Sequence, residues 1–497
     1  MIFLKKKKKI INLLKTTNEM VGLFLLHKKQ VPELVEESCT AVEAIEKMFT
    51  EKMPEAKEIL RDLSLLHDIF QLVFEKKVKI DPDLIQKIQN LLAVISDKVA
   101  KEVPNKLNIA FMPYKVTMWD SLASIYEAAC KDPDCVAKVI PIPYYKITAD
   151  KAIPVYEGKL FPANVSIIPY DDYDLNHEEP DIIFIHNAYD QYNTITQVDK
   201  RFFTSNLQQY TDMLVYVPYH ITGFGKLQGD AQYITYAIPT MENIDKIVVA
   251  GQFVKDAAVK YGIPKEKVLV LGSPKMDAVY QATKNGKRIP DKWKEKLEGK
   301  FVFALDTNCM YLINHSFDGF AYIEQVFDAA RMIPNCAVIW RPHPLTRISI
   351  AHYAPQMLKQ YDQLVVEIKM NSPKYPNVIF DDGPEYLSFL NASDAYVSEA
   401  NSISALYTST ERPIIFPYDK LADDTLWLPE RSFYYFYNSK YPWYKIADNL
   451  VKGFDPKKDY RHNLASQIYS YTDGTSGKTI HQEIKREVIL KTAGETK

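Results

Sequence analysis

The segment SDAYVSEANSISALYTSTERPIIF (393–416) places an acid, an amide and two hydroxyls between a predicted strand and a helix. Ligands of open parallel sheets bind beyond the carboxyl ends of the strands, so these side chains are candidates for a site. Asn401 or Ser402 can cap the helix, whose free N–H groups, with the hydroxyls of Ser402 and Ser404, would favour an anion. Glu399 could accept hydrogen bonds from ribose hydroxyls. Helix capping is the alternative, and it explains Asn401 and Ser402 but not the carboxylate.

A second candidate pair, Arg341 and His343, ends the predicted strand in CAVIWRPHPLTR (336–347). The planar guanidinium group presents donors that match phosphate oxygens. The imidazole could donate to a phosphate or protonate a leaving group. A single histidine of this kind is more often structural, but Arg-Pro-His-Pro directly after an apolar strand favours a function.

A third candidate, His220, follows the predicted strand in LVYVPYHITGFGK (214–226) and precedes Gly223 and Gly225. The glycines would let this loop approach a ligand closely. We expect His220 to face a second domain across a cleft and to act as a general base. The competing interpretation is a histidine bonded to a loop carbonyl.

The turn in VLVLGSPKMDAVY (268–280) contributes Lys275, which could reach an anionic ligand, and Asp277 near a helix start. A capped turn explains both residues without a ligand, unless a family supports the site. His186 in FIHNAYDQYN also ends a predicted strand and is a secondary candidate.

Composition excludes several classes of protein. Lys+Arg 61 against Asp+Glu 63 in 497 residues gives a net charge of −2, which argues against a general nucleic-acid-binding protein. The five cysteines lack metal-ligand spacing and indicate reduced thiols in a cytosolic protein. The sequence has no P-loop, HExxH, CxxC or GxSxG motif and no acidic pair with clear metal-ligand spacing, so we predict no metal and no cofactor.

The hydrophobic pattern, which predicts the helices and strands that position these side chains, changes along the chain. Residues 1–104 carry apolar residues at helical spacing and are predicted to be a helical packing or docking region. Residues 105–285 and 286–454 each alternate short apolar runs with amphipathic segments, which is typical of βαβ units and a mainly parallel sheet. Residues 455–497 return to helix and could cross back onto the first α/β domain. The sequence therefore predicts an α/β protein with two domains and a cleft between them.

The start of the chain, MIFLKKKKKIINLLK, carries five consecutive lysines between short apolar patches. It lacks the apolar core and cleavage site of a signal peptide, and no apolar run approaches the roughly 20 residues of a membrane span. The lysines could rest on an anionic membrane surface or form a solvated, frayed terminus, and the sequence favours neither interpretation.

Taken in order, the segments from about His220 to Tyr437 resemble the CDP-glycerol glycerophosphotransferase family of teichoic-acid polymerases and primases. The similar motifs are Tyr219-His220-Ile-Thr, Gly272-Ser-Pro-Lys275-Met-Asp277, Arg341-Pro-His343, Ser393-Asp394 through Glu399-Ala-Asn401-Ser402, Glu411-Arg-Pro413 through Tyr418-Asp419, and Arg431-Ser-Phe-Tyr434. Three features depart from the family. Glu-Ala-Asn-Ser replaces Asp-Tyr-Ser-Ser, no glycine follows the histidine, and Asp306-Thr-Asn-Cys309 stands where a Pro-Thr-Trp-Arg-like motif is expected.

The resemblance implies a GT-B architecture, with two Rossmann-type domains and the nucleotide held by the second. It implies transfer of glycerol phosphate from CDP-glycerol to an acceptor hydroxyl, for example on a lipid-linked acceptor, with release of CMP. The implied catalytic residues are His220, Arg341 and His343, and the implied substrate-binding residues are Lys275, Asp277, Glu399, Asn401, Ser402, Ser404 and Asp419. We expect a cytoplasmic enzyme, peripheral on the inner face of the membrane if the lysines bind lipid. The alternatives are a GT-B glycosyltransferase that uses a nucleotide-sugar and an inactive scaffold protein.

Overall fold

The computed structural model describes residues 1–27, 29–148, 150–226, 236–315, 317–418, 425–436 and 440–492. Asp419, one of the predicted substrate-binding residues, lies outside these ranges. The predicted helical region is confirmed as four helices around one apolar core: α1 (Leu4–Gly22), α2 (Val31–Lys52), α3 (Lys57–Phe74) and α4 (Pro82–Glu102). Within the described ranges, no helix is both long enough and apolar enough to cross a bilayer.

The lysine run at the start of α1 lies between the helical bundle and the first α/β domain. Four of its five ammonium groups bind acceptors of the same chain. Lys5 binds Tyr210 O (2.7 Å), Lys6 binds His177 O (3.5 Å), Lys7 binds Val103 O (2.6 Å) and Ala100 O (2.9 Å), and Lys9 pairs with Glu179. Lys7 is buried. The lysine run therefore attaches the helical bundle to the first α/β domain. The two interpretations from the sequence, a solvated terminus and a lipid-binding surface, did not include this role.

The first α/β domain contains a six-stranded parallel sheet in the order β2-β1-β5-β7-β8-β9 and a small antiparallel sheet in the order β4-β3-β6. The strands are β1 (Leu107–Phe111), β2 (Cys135–Val139), β3 (Tyr144–Ile147), β4 (Ala152–Val155), β5 (Ile182–Ile185), β6 (Thr196–Val198), β7 (Met213–Tyr216), β8 (Lys246–Val249) and β9 (Val268–Val270). The helices are α5 (Ala123–Lys131), α6 (Leu175–Glu178), α7 (Thr204–Leu207), α8 (Gln252–Tyr261) and α9 (Pro274–Thr283).

The second α/β domain contains a six-stranded parallel sheet in the order β12-β11-β10-β13-β14-β15. Its strands are β10 (Phe301–Thr307), β11 (Cys336–Pro342), β12 (Val378–Phe380), β13 (Ala395–Val397), β14 (Ile414–Phe416) and β15 (Tyr434–Tyr435). Its helices are α10 (Lys294–Leu297), α11 (Cys309–His315), α12 (Phe317–Met332), α13 (Thr346–Tyr353), α14 (Leu358–Lys369), α15 (Leu387–Ala392), α16 (Ser402–Tyr407) and α17 (Lys440–Val451). This is the Rossmann strand order, in which the chain reverses direction across the sheet between β10 and β13, the position where such sheets bind ligands.

A last helix, α18 (Ser476–Thr492), returns to the first domain and covers one face of its sheet. Ile480, Ile484 and Val488 recur at helical spacing and are buried against the strands. A Cβ atom on Gly477 would lie 2.2 Å from the Ser124 hydroxyl, so the close approach of α18 to α5 requires glycine at this position.

Candidate functional site

A cleft of about 690 Å³ separates the carboxyl ends of the two large sheets, and both domains line it. The first domain contributes Lys115, just after β1, and Tyr219, just after β7. The second contributes Arg341 and His343, at the end of β11. The two strand-end sets from separate domains thus meet at one cavity, which we call the interdomain cleft.

Arg341 is held rigidly at the floor of the interdomain cleft. Its guanidinium group donates to Asp381 Oδ2 (2.6 Å) and to Gly383 O (2.9 Å), and the side chain is buried. Asp381 in turn accepts from the backbone N–H of Gly383 (3.1 Å). The ion pair fixes the direction of the guanidinium group and also offsets part of its charge.

His343 is exposed at the mouth of the interdomain cleft. Its Nδ1 accepts the backbone N–H of Leu345 (3.2 Å), which assigns the proton of the neutral ring to Nε2. Partial desolvation of the ring by the surrounding cleft residues lowers the pKa of His343, and the negative charge of Asp306 opposes that change. At neutral pH the ring can therefore donate from Nε2 to an oxygen in the cleft.

Lys115 is a cleft residue that the sequence did not single out. Its ammonium lies 5.3 Å from the ring centre of Tyr114 and 5.4 Å from that of Tyr144. Burial lowers the pKa of Lys115, while Glu157 acts in the opposite direction. No carboxylate in the described ranges forms an ion pair with it, so its charge is available to an anionic ligand. The sequence does contain a signal for Lys115, because this residue directly follows the predicted strand LNIAFMPY. That strand is β1, which lies between β2 and β5 at the switch point of the first sheet.

Two buried carboxyl groups, Asp306 and Glu399, flank the switch point of the second sheet at the ends of β10 and β13. Oδ2 of Asp306 accepts from Tyr396 (2.6 Å) and from Asn401 (2.9 Å). Oε2 of Glu399 accepts the backbone N–H of Asn308 (3.1 Å), and its buried Oε1 has no partner among the described residues. Burial raises the pKa of Glu399 to about 8 and also raises that of Asp306. Glu399 is therefore protonated at neutral pH and can donate as well as accept a hydrogen bond.

The predicted anion cradle at α16 contains a complete capping box. The Asn401 side chain accepts the backbone N–H of Ser404 (2.8 Å), and the Ser404 hydroxyl accepts the backbone N–H of Asn401 (2.9 Å). Both side chains are thus used to build the helix start. Capping was the alternative stated for Asn401 and Ser402, and the second member of the box is Ser404. Ser402 is exposed, and its hydroxyl stays a candidate ligand contact.

His220 lies half-buried in a small cavity of the first domain with Val217, Thr222 and Ser273, beside Tyr219 of the cleft. Burial, together with the charge of Lys275, lowers the pKa of His220 to about 4. The imidazole is therefore neutral at pH 7, as a general base must be, but it is a weak base. Its catalytic role stays a prediction.

The glycine-containing loop after His220 docks onto the second domain. Phe224 is buried there and stacks on Phe433, with ring centres 5.3 Å apart and planes at 3°. Backbone hydrogen bonds join Lys226 N to Thr425 O (2.9 Å) and Trp427 N to Phe224 O (2.8 Å). A Cβ on Gly223 would lie 3.7 Å from the carbonyl oxygen of Asn401. That distance is an ordinary van der Waals contact, and a Cβ on Gly225 would meet no described atom within 4 Å, so the backbone of the second domain does not require glycine at either position.

The remaining candidates have partners that give them structural roles. Lys275 donates to Asp120 (2.6 Å), and Asp277 accepts the backbone N–H groups of Ser476 (3.1 Å) and Gly477 (2.7 Å) at the start of α18. His186 is buried: its Nε2 accepts the Tyr114 N–H (3.1 Å), and its Nδ1 lies 3.1 Å from the Ser121 hydroxyl. Burial lowers the pKa of His186 to about 3.

One cluster has donor atoms that could suit a metal. Side-chain atoms of Asp132, Cys135 and His481 lie within 4.8 Å of one another, where α18 meets the edge of the first sheet. Both oxygens of Asp132 accept from Lys485 (3.0 and 2.8 Å), so an ammonium group already occupies the position that a cation would take. We assign this cluster to the anchoring of α18.

No protein-family model matches the sequence, and no curated protein matches it significantly. Among solved structures, the chain is similar to a histidine-to-alanine variant of the wall teichoic acid polymerase TagF, with TM-score 0.50 and 12% identity over 82% of this chain and 97% of that chain. It is also similar to a UDP-GlcNAc 2-epimerase from Methanocaldococcus jannaschii, with TM-score 0.49 and 12% identity over 76% of this chain and 100% of that chain. At such identities the likeness concerns the fold. The predicted fold class is confirmed: a GT-B-like α/β protein in which two Rossmann-type domains face each other across a cleft, preceded by a helical region.

Proposed function

We propose that this protein is a transferase that moves glycerol phosphate from CDP-glycerol to an acceptor hydroxyl, releasing CMP, in the synthesis of a cell-wall or surface polymer. The observation that carries the proposal is the interdomain cleft, a cavity of about 690 Å³. Lys115 lines it from the first domain, and Arg341 and His343 line it from the second. Cationic donors fixed on strand ends are suited to the spread negative charge of a phosphoryl group in transfer.

The donor nucleotide would lie at the switch point of the second sheet. Glu399, neutral at pH 7, would contact ribose hydroxyls, and Ser402 with the first N–H groups of α16 would contact the pyrophosphate. Asp306 would act indirectly, because it holds the Asn401 side chain that caps α16 (2.9 Å). Of the predicted substrate-binding set, Lys275 and Asp277 serve the frame of the first domain rather than the donor.

The reaction would join the acceptor oxygen to the phosphorus that carries glycerol and break the bond from that phosphorus to CMP. His220 would take the acceptor proton, Arg341 and Lys115 would stabilise the phosphoryl oxygens, and His343 would donate from Nε2 to the departing CMP oxygen. The low pKa of His220 makes proton transfer efficient only late in the step, when the acceptor oxygen is already bonding to phosphorus.

The test is thermal unfolding of the protein with CDP-glycerol, CDP-ribitol, UDP-glucose or CMP. A ligand that binds only the folded state raises the melting temperature by mass action. We expect stabilisation by CDP-glycerol and CMP that Ser402→Ala weakens, whereas Ser205→Ala, at an exposed serine of the first domain, retains it. A larger shift with UDP-glucose would replace the proposal by a nucleotide-sugar glycosyltransferase. No shift with any of the four would favour the scaffold alternative.

A further inference from the structure

A second cavity, of about 680 Å³, lies beside the interdomain cleft, and we call it the side groove. The first domain supplies Trp119, Leu160 and Ala278, and the second supplies Pro384 and Leu387. Leu160 is 65% exposed, although it is a large apolar side chain. The groove therefore presents apolar surface to solvent between two domains, a common place for small-molecule binding.

The side groove is continuous with the interdomain cleft. Thr117 of the first domain and Pro384 of the second line both cavities. A ligand that fills the groove can therefore extend past this pair to the space between Lys115 and Arg341. The groove thus offers a binding position for a molecule whose end reacts in the cleft.

The charges on the side groove exclude an anionic occupant. Its ionisable wall residues are acidic, and they include Asp120, Glu127 and Glu385. The nearby Lys275 is neutralised by Asp120 (2.6 Å), which also accepts from the Tyr386 hydroxyl (2.5 Å). The second oxygen of Asp120 is buried and has no partner among the described residues. Phosphate groups would instead enter the cationic cleft.

We infer that the side groove holds the uncharged, apolar part of the acceptor, whose hydroxyl group then reaches the interdomain cleft. This inference rests on the proposed transfer to a hydroxyl, and it names the acceptor class: a neutral alcohol with an apolar stem of several carbons.

The probe is 1-O-octylglycerol below its micellar concentration, with glycerol for comparison. Binding is followed by the fluorescence of Trp119, with Trp119→Phe to identify the signal. This readout needs no donor, so it remains informative if CDP-glycerol is not the donor. We expect saturable binding at least tenfold tighter than that of glycerol.

Leu160→Asp should weaken binding of octylglycerol at least tenfold, because it places a charge on the apolar wall. Leu26→Asp is the matched control: Leu26 is a 74% exposed leucine after α1, and its replacement should leave binding unchanged. Ala278→Phe, which fills the groove, should weaken binding without loss of melting temperature. Equal binding by Leu160→Asp and wild type, equal binding of glycerol and octylglycerol, or no saturable binding would each overturn the inference.

Discussion

Replacement of Glu399 by glutamine should change how stability depends on pH. Burial raises the pKa of this carboxyl from its ordinary value of 4.5 to about 8, so the folded protein holds a proton that the unfolded chain releases. Stability must then fall as the pH rises between these values, because ionisation favours the unfolded chain. Wyman linkage with the two pKa values gives a contribution on the order of 3 kcal/mol that is lost between pH 5 and pH 8.

The glutamine variant lacks this titration, so its stability should decline less over the same pH range. Unfolding midpoints in urea at pH 5, 6, 7 and 8 would give the difference between the two proteins at each pH, with Glu266→Gln as a control at an exposed glutamate. The variant should gain on the wild type steadily as the pH rises. Parallel curves for the two proteins would show that Glu399 is ionised in the folded protein and would refute the assignment of a neutral carboxyl.

Three further predictions concern catalysis and packing. Lys115→Met should lower kcat/KM for CMP release about 100-fold. Lys159→Met, at an exposed lysine of the same domain, should leave it unchanged, and equal activities of the two variants would remove Lys115 from the site. Asp277→Asn should lower the free energy of unfolding by about 3 kcal/mol, because charged hydrogen bonds at the start of α18 are lost; an unchanged urea midpoint would contradict that role. Phe224→Ala should weaken docking of the glycine-containing loop onto the second domain by about 3 kcal/mol. A larger radius of gyration in solution scattering would show the weaker docking, and an unchanged radius would mean that other contacts hold the domains together.

The sequence predicted the elements of this fold better than the partners of its polar residues. Apolar runs such as FVFALDTN and CAVIWRPHP are strands as predicted, because burial on both faces leaves a continuous apolar pattern. The strand ends were therefore located correctly, and Arg341 and His343 do lie in a cleft. The short strands β4 and β6 were missed, since their antiparallel pairing to β3 depends on residues distant in the chain.

The uses of the candidate side chains depend on contacts that no local pattern contains. Asp277 meets the start of α18 about 200 residues further on, and the lysines of α1 meet acceptors near residues 100 and 180–210. The loop after His220 looked open to a ligand because its glycines are visible in the sequence, whereas the cavity that receives Phe224 is not. Helix capping was the local alternative for Asn401 and Ser402, and the structure shows a capping box made by Asn401 and Ser404.

The return of α18 to the first sheet has a consequence for synthesis on the ribosome. The second sheet is complete once residue 435 has emerged, whereas the first sheet still lacks the apolar cover of Ile480, Ile484 and Val488. The nascent first domain therefore carries an uncovered face while the later domain is translated. We expect chaperones that bind exposed apolar strands to associate with ribosome-bound chains that end before residue 476, and to leave once the final helix docks.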